Sequence, residues 1–392
     1  MIFSYAQRGT LSIGVPTIMK ELGLSRAVMG VLLSSFNWSY SFLQMPAGWV
    51  VDCFGVRLAY AGGFVLSSVS CALTGFARSL TALILCRMSQ GVGQSVAFPA
   101  SARSVANWFH DRERGTVTAT YLTGVRLGQA LISAVGAFVL DAYGRKMFFL
   151  LSGLLPLIWL LPWMGFLARW EPPPAAPSPG VRRKGASFLQ GVALLRRRTV
   201  FGIFLGFFAF DYVWFLYVNW LPGYLRIERQ FSTREMGIYS SIPYVAMSVV
   251  ILLSGLLSDW LIRRGFPEIR VRKTLILIGL MVGCLIVPAG LVEDKMTSVW
   301  LLTISLCGLG ICSPNTWTLT QAVCSKNIVG TVSGIQNFGG NVGGIIAPAL
   351  TGYIAQVTQS FALALSIAGA ILVVGMISYG VIISRPVEME EA

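Results

Sequence analysis

The sequence predicts an all-α membrane protein: twelve transmembrane helices in two pseudo-symmetric six-helix bundles. Three observations carry that expectation. Apolar residues fill 55% of 392 positions and charged residues only 12%, with a mean hydropathy of +0.70. A water-soluble domain usually carries about a quarter charged residues. Apolar stretches recur along the whole length, each close to the roughly 20 residues a helix needs to cross about 30 Å of hydrocarbon. The second half also repeats features of the first in the same order. The bilayer is the solvent.

Membrane spans are expected near 1–20, 27–48, 58–76, 81–104, 115–138, 146–168, 199–222, 234–257, 274–292, 298–320, 331–354 and 361–384. The first is short at its inner end, since only seven residues precede Arg8. Translation is therefore expected to start either at Met1 or upstream of it. A cleaved signal peptide is not expected, because its charge order and small-residue cleavage pattern are missing. The clear linker is 169–198, opening Arg169-Trp-Glu-Pro-Pro-Pro and running to the basic group Arg182-Arg183-Lys184. Its proline run forbids continuous helix, although 186–198 could form a short amphipathic helix on the membrane surface. The linker divides the chain into bundles at 1–168 and 199–392.

With a cytoplasmic N-terminus, 18 of the 30 Lys and Arg fall in inward loops and the tail, nine in outward loops and three inside spans. This is the positive-inside bias that sets orientation. The pI of about 9.8 therefore reflects topology, with both termini cytoplasmic, and implies no nucleic-acid partner. The cluster from Arg182 to Arg198 is a topology signal that could also meet anionic lipid. Seven cysteines lie mostly within apolar spans without regular spacing, and His110 is the single histidine. No metal site, cofactor motif, disulfide framework or Ser-His-Asp triad is expected, and pairs such as Gly62-Gly63 make no phosphate loop. An enzyme is therefore not indicated.

The repeat has two registers. At an offset of 207, Ser25, Met29 and Gly30 match Ser232, Met236 and Gly237, and Gly48, Asp52 and Arg57 match Gly255, Asp259 and Arg264. At 215, Gly115-Thr116-Val117 matches Gly330-Thr331-Val332, and Gly124 and Gly128 match Gly339 and Gly343. Duplicated membrane halves around a central site are a mark of transporters; channels and structural membrane proteins are the alternatives.

The loop after the second span reads Gly48-Trp-Val-Val-Asp52-Cys53-Phe-Gly55-Val-Arg57. Glycines let helix ends approach, and Asp52 can accept from a helix N-terminus while pairing with an arginine such as Arg112 or Arg114. Such a clasp would hold one conformation shut, and the plainer alternative is a turn with solvated charges. Doubled in this way, Gly-x-x-x-Asp-x-x-Gly-x-Arg resembles the signature loop of the major facilitator superfamily. Further motifs resemble its anion:cation symporter family. They are Tyr5-x-x-Arg8-x-x-Leu11-Ser12, Glu21-Leu-Gly-Leu-Ser25, Trp38-x-Tyr40-x-x-x-Gln44-x-Pro46-x-Gly48 and Arg87-x-x-x-Gly91. Trp108-Phe109 with Glu113-Arg114, Trp220-Leu-Pro222-x-Tyr224 and Asn337-x-x-Gly340-Asn341-x-x-Gly344 complete the set. The resemblance covers nearly the whole chain. That family includes bacterial carriers of galactonate, hexuronates, glucarate and phthalate, and animal carriers of phosphate, glutamate and sialic acid.

Charge placement points to organic anions without the family. Arg8, Arg87 and Arg126 fall inside spans, where each charge costs about 2.5–3.5 kcal/mol on insertion scales. The guanidinium stays protonated and matches a carboxylate with two parallel donors. Carbonyl capping or snorkelling is the alternative, strongest for Arg87. The resemblance implies that Arg8 binds a substrate carboxylate, with Tyr5 and Tyr40 beside it. It also implies that Asn315, Thr316, Asn337 and Asn341 supply hydroxyl-binding groups, although each alone is more often a helix–helix bond.

The departures from the family bear on coupling. Gln7 and Gln94 stand where relatives commonly have acids, so no proton can be exchanged there. Cys53 replaces a basic residue in the signature loop, and Arg126 a glutamine or apolar residue. One acid remains deep in a span: Asp211. It is the candidate proton site, with a structural salt bridge to a buried arginine as the alternative. Asp52, Gly55, Arg57, Asp259, Arg264 and Arg87 are expected to serve gating. The expected function is transport of a small organic anion by alternating access through a monomer, coupled to protons or else uncoupled. A carrier of neutral or cationic compounds, or a non-transporting membrane sensor, would be the rivals.

Overall fold

A computed structural model describes residues 1–108, 111–170, 194–324 and 328–383, without the side chains at 45, 52, 106, 111–116, 118–119, 122 and 167–170. Twelve membrane passages can be followed through its helices. The first is α1 (Ile2–Leu22), closed by Gly23 in the left-handed region at φ 62°. Helix α2 (Arg26–Thr74) opens on a Ser25 cap and runs 49 residues. That length is roughly twice what one crossing needs. Gly55, at φ 76° and ψ 165°, divides it into the second and third passages. A side chain there would be strained, so the signature glycine is the corner itself.

The fourth passage is α3 (Leu80–Ser95) followed by α4 (Ala97–Trp108). Pro99 lacks the amide that would continue the helical ladder across that junction. Helix α5 (Asp111–Leu131) runs through a π-helical turn, Ile132–Gly136, into α6 (Ala137–Leu154). Gly144, at φ 74°, turns the chain into the sixth passage, which continues through Leu155–Trp159 and α7 (Leu160–Trp170). The later passages are α8 (Arg198–Ile227), α9 (Thr233–Arg263), α10 (Glu268–Gly283) with α11 (Ile286–Leu291), and α12 (Lys295–Val323). Helix α13 (Val329–Val357) and α14 (Ala362–Ile377) complete them.

Cα proximity divides the chain into two compact units. One comprises Met1–Gly180 with Val218–Ser241, the other Val181–Tyr217 with Ile242–Ala392. The C-terminal end of α8 and the N-terminal end of α9 thus group with the first unit. There Arg234 bonds Asp141 at 2.7 Å, and Gly237 lies against Ala137 and the Ser133 carbonyl of the π turn.

Duplication is visible in the packing. In the first unit a Cβ on Gly63 would strike the Gly93 carbonyl, and one on Gly93 the Gly63 carbonyl. In the second unit Gly279 and Gly308 face each other the same way, and a Cβ on either would lie 2.5 Å from the other's carbonyl oxygen. The same backbone-to-backbone crossing occurs once per unit, at neighbouring offsets in sequence.

Among the described residues, seven helical stretches are long and apolar enough to cross a membrane by length and composition alone. Helices α1, α3 and α13 are not among them. They carry Gln7 and Arg8, then Arg87, Gln90 and Gln94, then Gln336, Asn337 and Asn341. The polarity that lowers their hydropathy is what builds the sites below.

Candidate functional site

In the first unit the site is centred on Arg8, 6% exposed on α1. Its Nη2 donates to Asn37 Oδ1 at 2.9 Å and its Nη1 to Tyr5 Oη at 3.3 Å. The guanidinium carbon stands 4.3 Å from the Phe36 ring centroid, 4.7 Å from Tyr40 and 5.4 Å from Tyr5. Phe36 and Tyr40 stack on each other at 5.3 Å. Tyr40 also bonds Gln44 and Arg8. Helix geometry explains the grouping: Tyr5 and Arg8 are three apart on α1, and Phe36 and Asn37 lie four and three residues before Tyr40 on α2. Cation–π contact of about 0.5–2 kcal/mol per ring offsets part of the cost of holding this charge in the membrane.

A second buried arginine adjoins it. Arg87, 2% exposed, donates to Gln90 Oε1 at 2.7 Å and to the Arg8 carbonyl at 3.4 Å, and lies 5.1 Å from the Phe36 ring. Its Nε has no partner among the described residues. Arg87 thus lies in the Arg8 neighbourhood.

Gln7 and Gln94 meet through serines. Gln7 Nε2 donates to Ser68 Oγ at 2.8 Å, and Ser67 Oγ donates to Gln7 Oε1 at 3.0 Å. Gln94 Nε2 donates to Ser67 Oγ at 3.1 Å and to the Ser4 carbonyl at 2.8 Å. These groups do not titrate, and their bonds persist at any physiological pH. Arg126 stands partly buried on α5 with interactions of its own.

In the second unit Asp211, partly buried on α8, lies against α13 at Gly340, where a Cβ would strike its carboxylate. Tyr379 is within electrostatic reach of it. Asn341, the residue after Gly340, donates to the Asn337 carbonyl at 3.0 Å. Asn315 is fully buried and donates to Ser254 Oγ on α9 at 2.9 Å, while its Oδ1 has no partner among the described residues. Thr316, also fully buried, donates to the Ser313 carbonyl. Asn315 thus bridges α12 to α9, while the bond of Thr316 stays within α12.

The signature loops can be compared in part. The Asp52 side chain and the side chains of Arg112 and Arg114 lie outside the described residues. In the second copy, Asp259 meets Arg272 at 3.8 Å and not Arg264, which stacks on Trp260 at 4.1 Å. The turn at Gly265, φ 94°, separates α9 from α10, on which Arg272 lies. Glu268, one turn before Arg272, holds its Nε at 2.8 Å, while Nη1 donates to Thr318 at 2.7 Å. The clasp partner is thus on the returning helix.

Sequence reasoning missed Phe36, Asn37, Gln90, Ser67 and Ser68. The spacing of Phe36 and Asn37 from Tyr40 was the available signal for the first two. The serines are short hydroxyls that commonly satisfy their own helix, so nothing in the sequence set them apart.

Residues 1–348 match the family model described as Major Facilitator Superfamily. The chain is 30% identical to a D-galactonate transporter of Escherichia coli O6:H1, covering 97% of this chain and 92% of that one. It is 28% identical to a probable galactarate/D-glucarate transporter of Escherichia coli K12, covering 99% and 93%. Its fold is shared with a bacterial homologue of the human lysosomal transporter Spinster, solved inward-facing and unoccupied. The TM-score is 0.78 at 16% identity, covering 96% and 93% of the two chains. The chain belongs to the Major Facilitator Superfamily, and is an integral membrane transporter and not an enzyme.

Proposed function

We propose that this transporter carries a small organic anion, a sugar acid or another small carboxylate, across a bacterial inner membrane by alternating access, with both termini cytoplasmic. The observation that best supports this is the buried Arg8 guanidinium, held among Tyr5, Asn37 and the faces of Phe36 and Tyr40. A planar donor fork in low dielectric suits a carboxylate better than any neutral group. The relatives' names, which speak of galactonate and galactarate or glucarate, agree with that chemistry. In this reading Arg8 and Arg126 hold the carboxylate, while Tyr5, Tyr40, Asn337 and Asn341 meet hydroxyls. Asn315, whose Oδ1 has no partner among the described residues, and Thr316 are read with them as hydroxyl-binding groups on α12.

Coupling is assigned to Asp211, the acid set deep in α8. A carboxyl group there can be neutral on one side of the cycle and ionised on the other. A second reading, an uncoupled facilitator, is favoured by Gln7 and Gln94, which are amides bonded to serines. Uptake of labelled sugar acids into proteoliposomes, with and without an inward proton gradient, separates the two. Accumulation that collapses with the gradient and is lost in Asp211→Asn supports coupling. Equilibration without accumulation supports the facilitator. An absence of acid uptake by the wild type sinks both.

A further inference from the structure

Three side chains on one face of α3 reach backbone carbonyls of α1. Arg87 Nη1 donates to the Arg8 carbonyl at 3.4 Å, Gln90 Nε2 to that of Gln7 at 2.9 Å, and Gln94 Nε2 to that of Ser4 at 2.8 Å. The order is antiparallel, with numbers rising on α3 as they fall on α1. All three donors are buried, at 2%, 1% and 5% exposure. A carbonyl inside a helix accepts one bond from its own ladder and keeps a second lone pair for another donor. The three donors therefore form a ladder that grips the turn carrying Tyr5 and Arg8.

Gln90 is its central rung. Its Oε1 receives Arg87 at 2.7 Å while its Nε2 bonds α1, so one amide orients the arginine and ties both helices. Gly91 brings α3 equally close to α2: a Cβ there would lie 2.5 Å from the Phe36 carbonyl and 3.2 Å from the Tyr40 nitrogen. The same two turns of α3 thus set α1 and α2 against each other, and with them Arg8 against Phe36, Asn37 and Tyr40.

We infer that Gln90 is a positioning residue of the anion site: it fixes the rotation and height of α1, and so the direction of the Arg8 fork. The inference rests on Arg8 being the carboxylate ligand. A helix turns about 100° per residue, so even slight rotation would swing the fork off the rings and Asn37.

The test is uptake kinetics in proteoliposomes. Gln90→Glu keeps the length and the acceptor for Arg87, but an ionised carboxylate cannot donate to the Gln7 carbonyl. KM for the transported acid should rise about tenfold, the size of one lost buried hydrogen bond. Maximal rate per transporter and melting temperature should stay near wild type. Gln90→Met, uncharged and of similar length, serves where the glutamate variant fails to assemble. Arg87→Met combined with Gln90→Met should raise KM by less than the product of the single effects, as residues sharing one bond do. An unchanged KM in both Gln90 variants overturns the inference. So does a fall of maximal rate and melting temperature as large as the rise in KM, which would mark a folding bond only. If wild-type vesicles take up no acid, or Arg8→Ala is as active as wild type, it is the anion reading that has failed.

Discussion

Two helix contacts, one in each unit, are made by different means. In the first, α3 meets α1 through long polar side chains that donate across the interface. In the second, α13 meets α8 through missing side chains. A Cβ on Gly339 would lie 2.6 Å from the Phe204 carbonyl, one on Gly343 2.9 Å from the Tyr212 nitrogen, and one on Gly340 would strike Asp211. Directional bonds fix rotation and register. A glycine face fixes only distance, and small-residue crossings let helices slide and tilt at close range. The α3–α1 contact thus fixes orientation beside the arginine, while the α13–α8 contact fixes only distance beside the acid.

Ways to break this contrast can be ranked by size. The largest effect belongs to Arg8→Ala, which removes the charged fork and its ring contacts. Losing a charged hydrogen-bonding pair costs about 1.5–3 kcal/mol, and more for a bidentate one. Uptake of the acid should fall on the order of a hundredfold, and Arg8→Lys should recover only part. Gly340→Ala comes next. Its methyl group would force Asp211 or α13 to shift, at about 1–3 kcal/mol. A lowered melting temperature in detergent and slowed uptake should appear together, because packing and the acid share one contact. Retained stability and rate would mean that α13 is free to yield there, and would weaken the contrast.

Arg272→Met tests the clasp in the second unit. It removes the bonds to Glu268 and Thr318 and the pairing with Asp259. Asp259 and Glu268 are left facing solvent at 65% and 47% side-chain exposure, so the cost should be about 1 kcal/mol, read as a small loss of thermal stability. The smallest effect, with the opposite sign, belongs to Gln129→Met. Gln129 is fully buried beside Gly9, and neither amide atom has a partner among the described residues. An apolar side chain of the same length should be neutral or stabilising by up to about 1 kcal/mol, visible as an unchanged or raised melting temperature.

The fold was legible because the membrane imposes length and hydropathy on each passage. Even the corner at Gly55 could be read as the end of one span and the start of another. Gathering of Tyr5, Arg8 and Tyr40 was also legible, since helical spacing and motif placed them together. What escaped were partners defined by crossings between helices. Asp259 finds Arg272 only because Gly265 turns the chain back, and no offset in sequence reveals that. Asn315 has the residue type of a ligand group, but the rotation of α12 turns it to Ser254 on α9. Gln90 has no motif of its own, and its meaning comes from the carbonyl it faces.

The shortfall of hydropathy in α1 and α3 has a consequence for how the protein is made. A helix bearing Gln7 and Arg8 enters lipid poorly by itself, and the residues that satisfy its polar groups lie on later helices. The donors of α3 emerge from the ribosome some eighty residues after the carbonyls they will hold. At the usual elongation rate of about 5–20 residues per second, α1 waits several seconds for them. During that wait it needs the insertion machinery, or a chaperone within the membrane, to shelter it. The buried polar groups of α1 make the first helix among the last to settle.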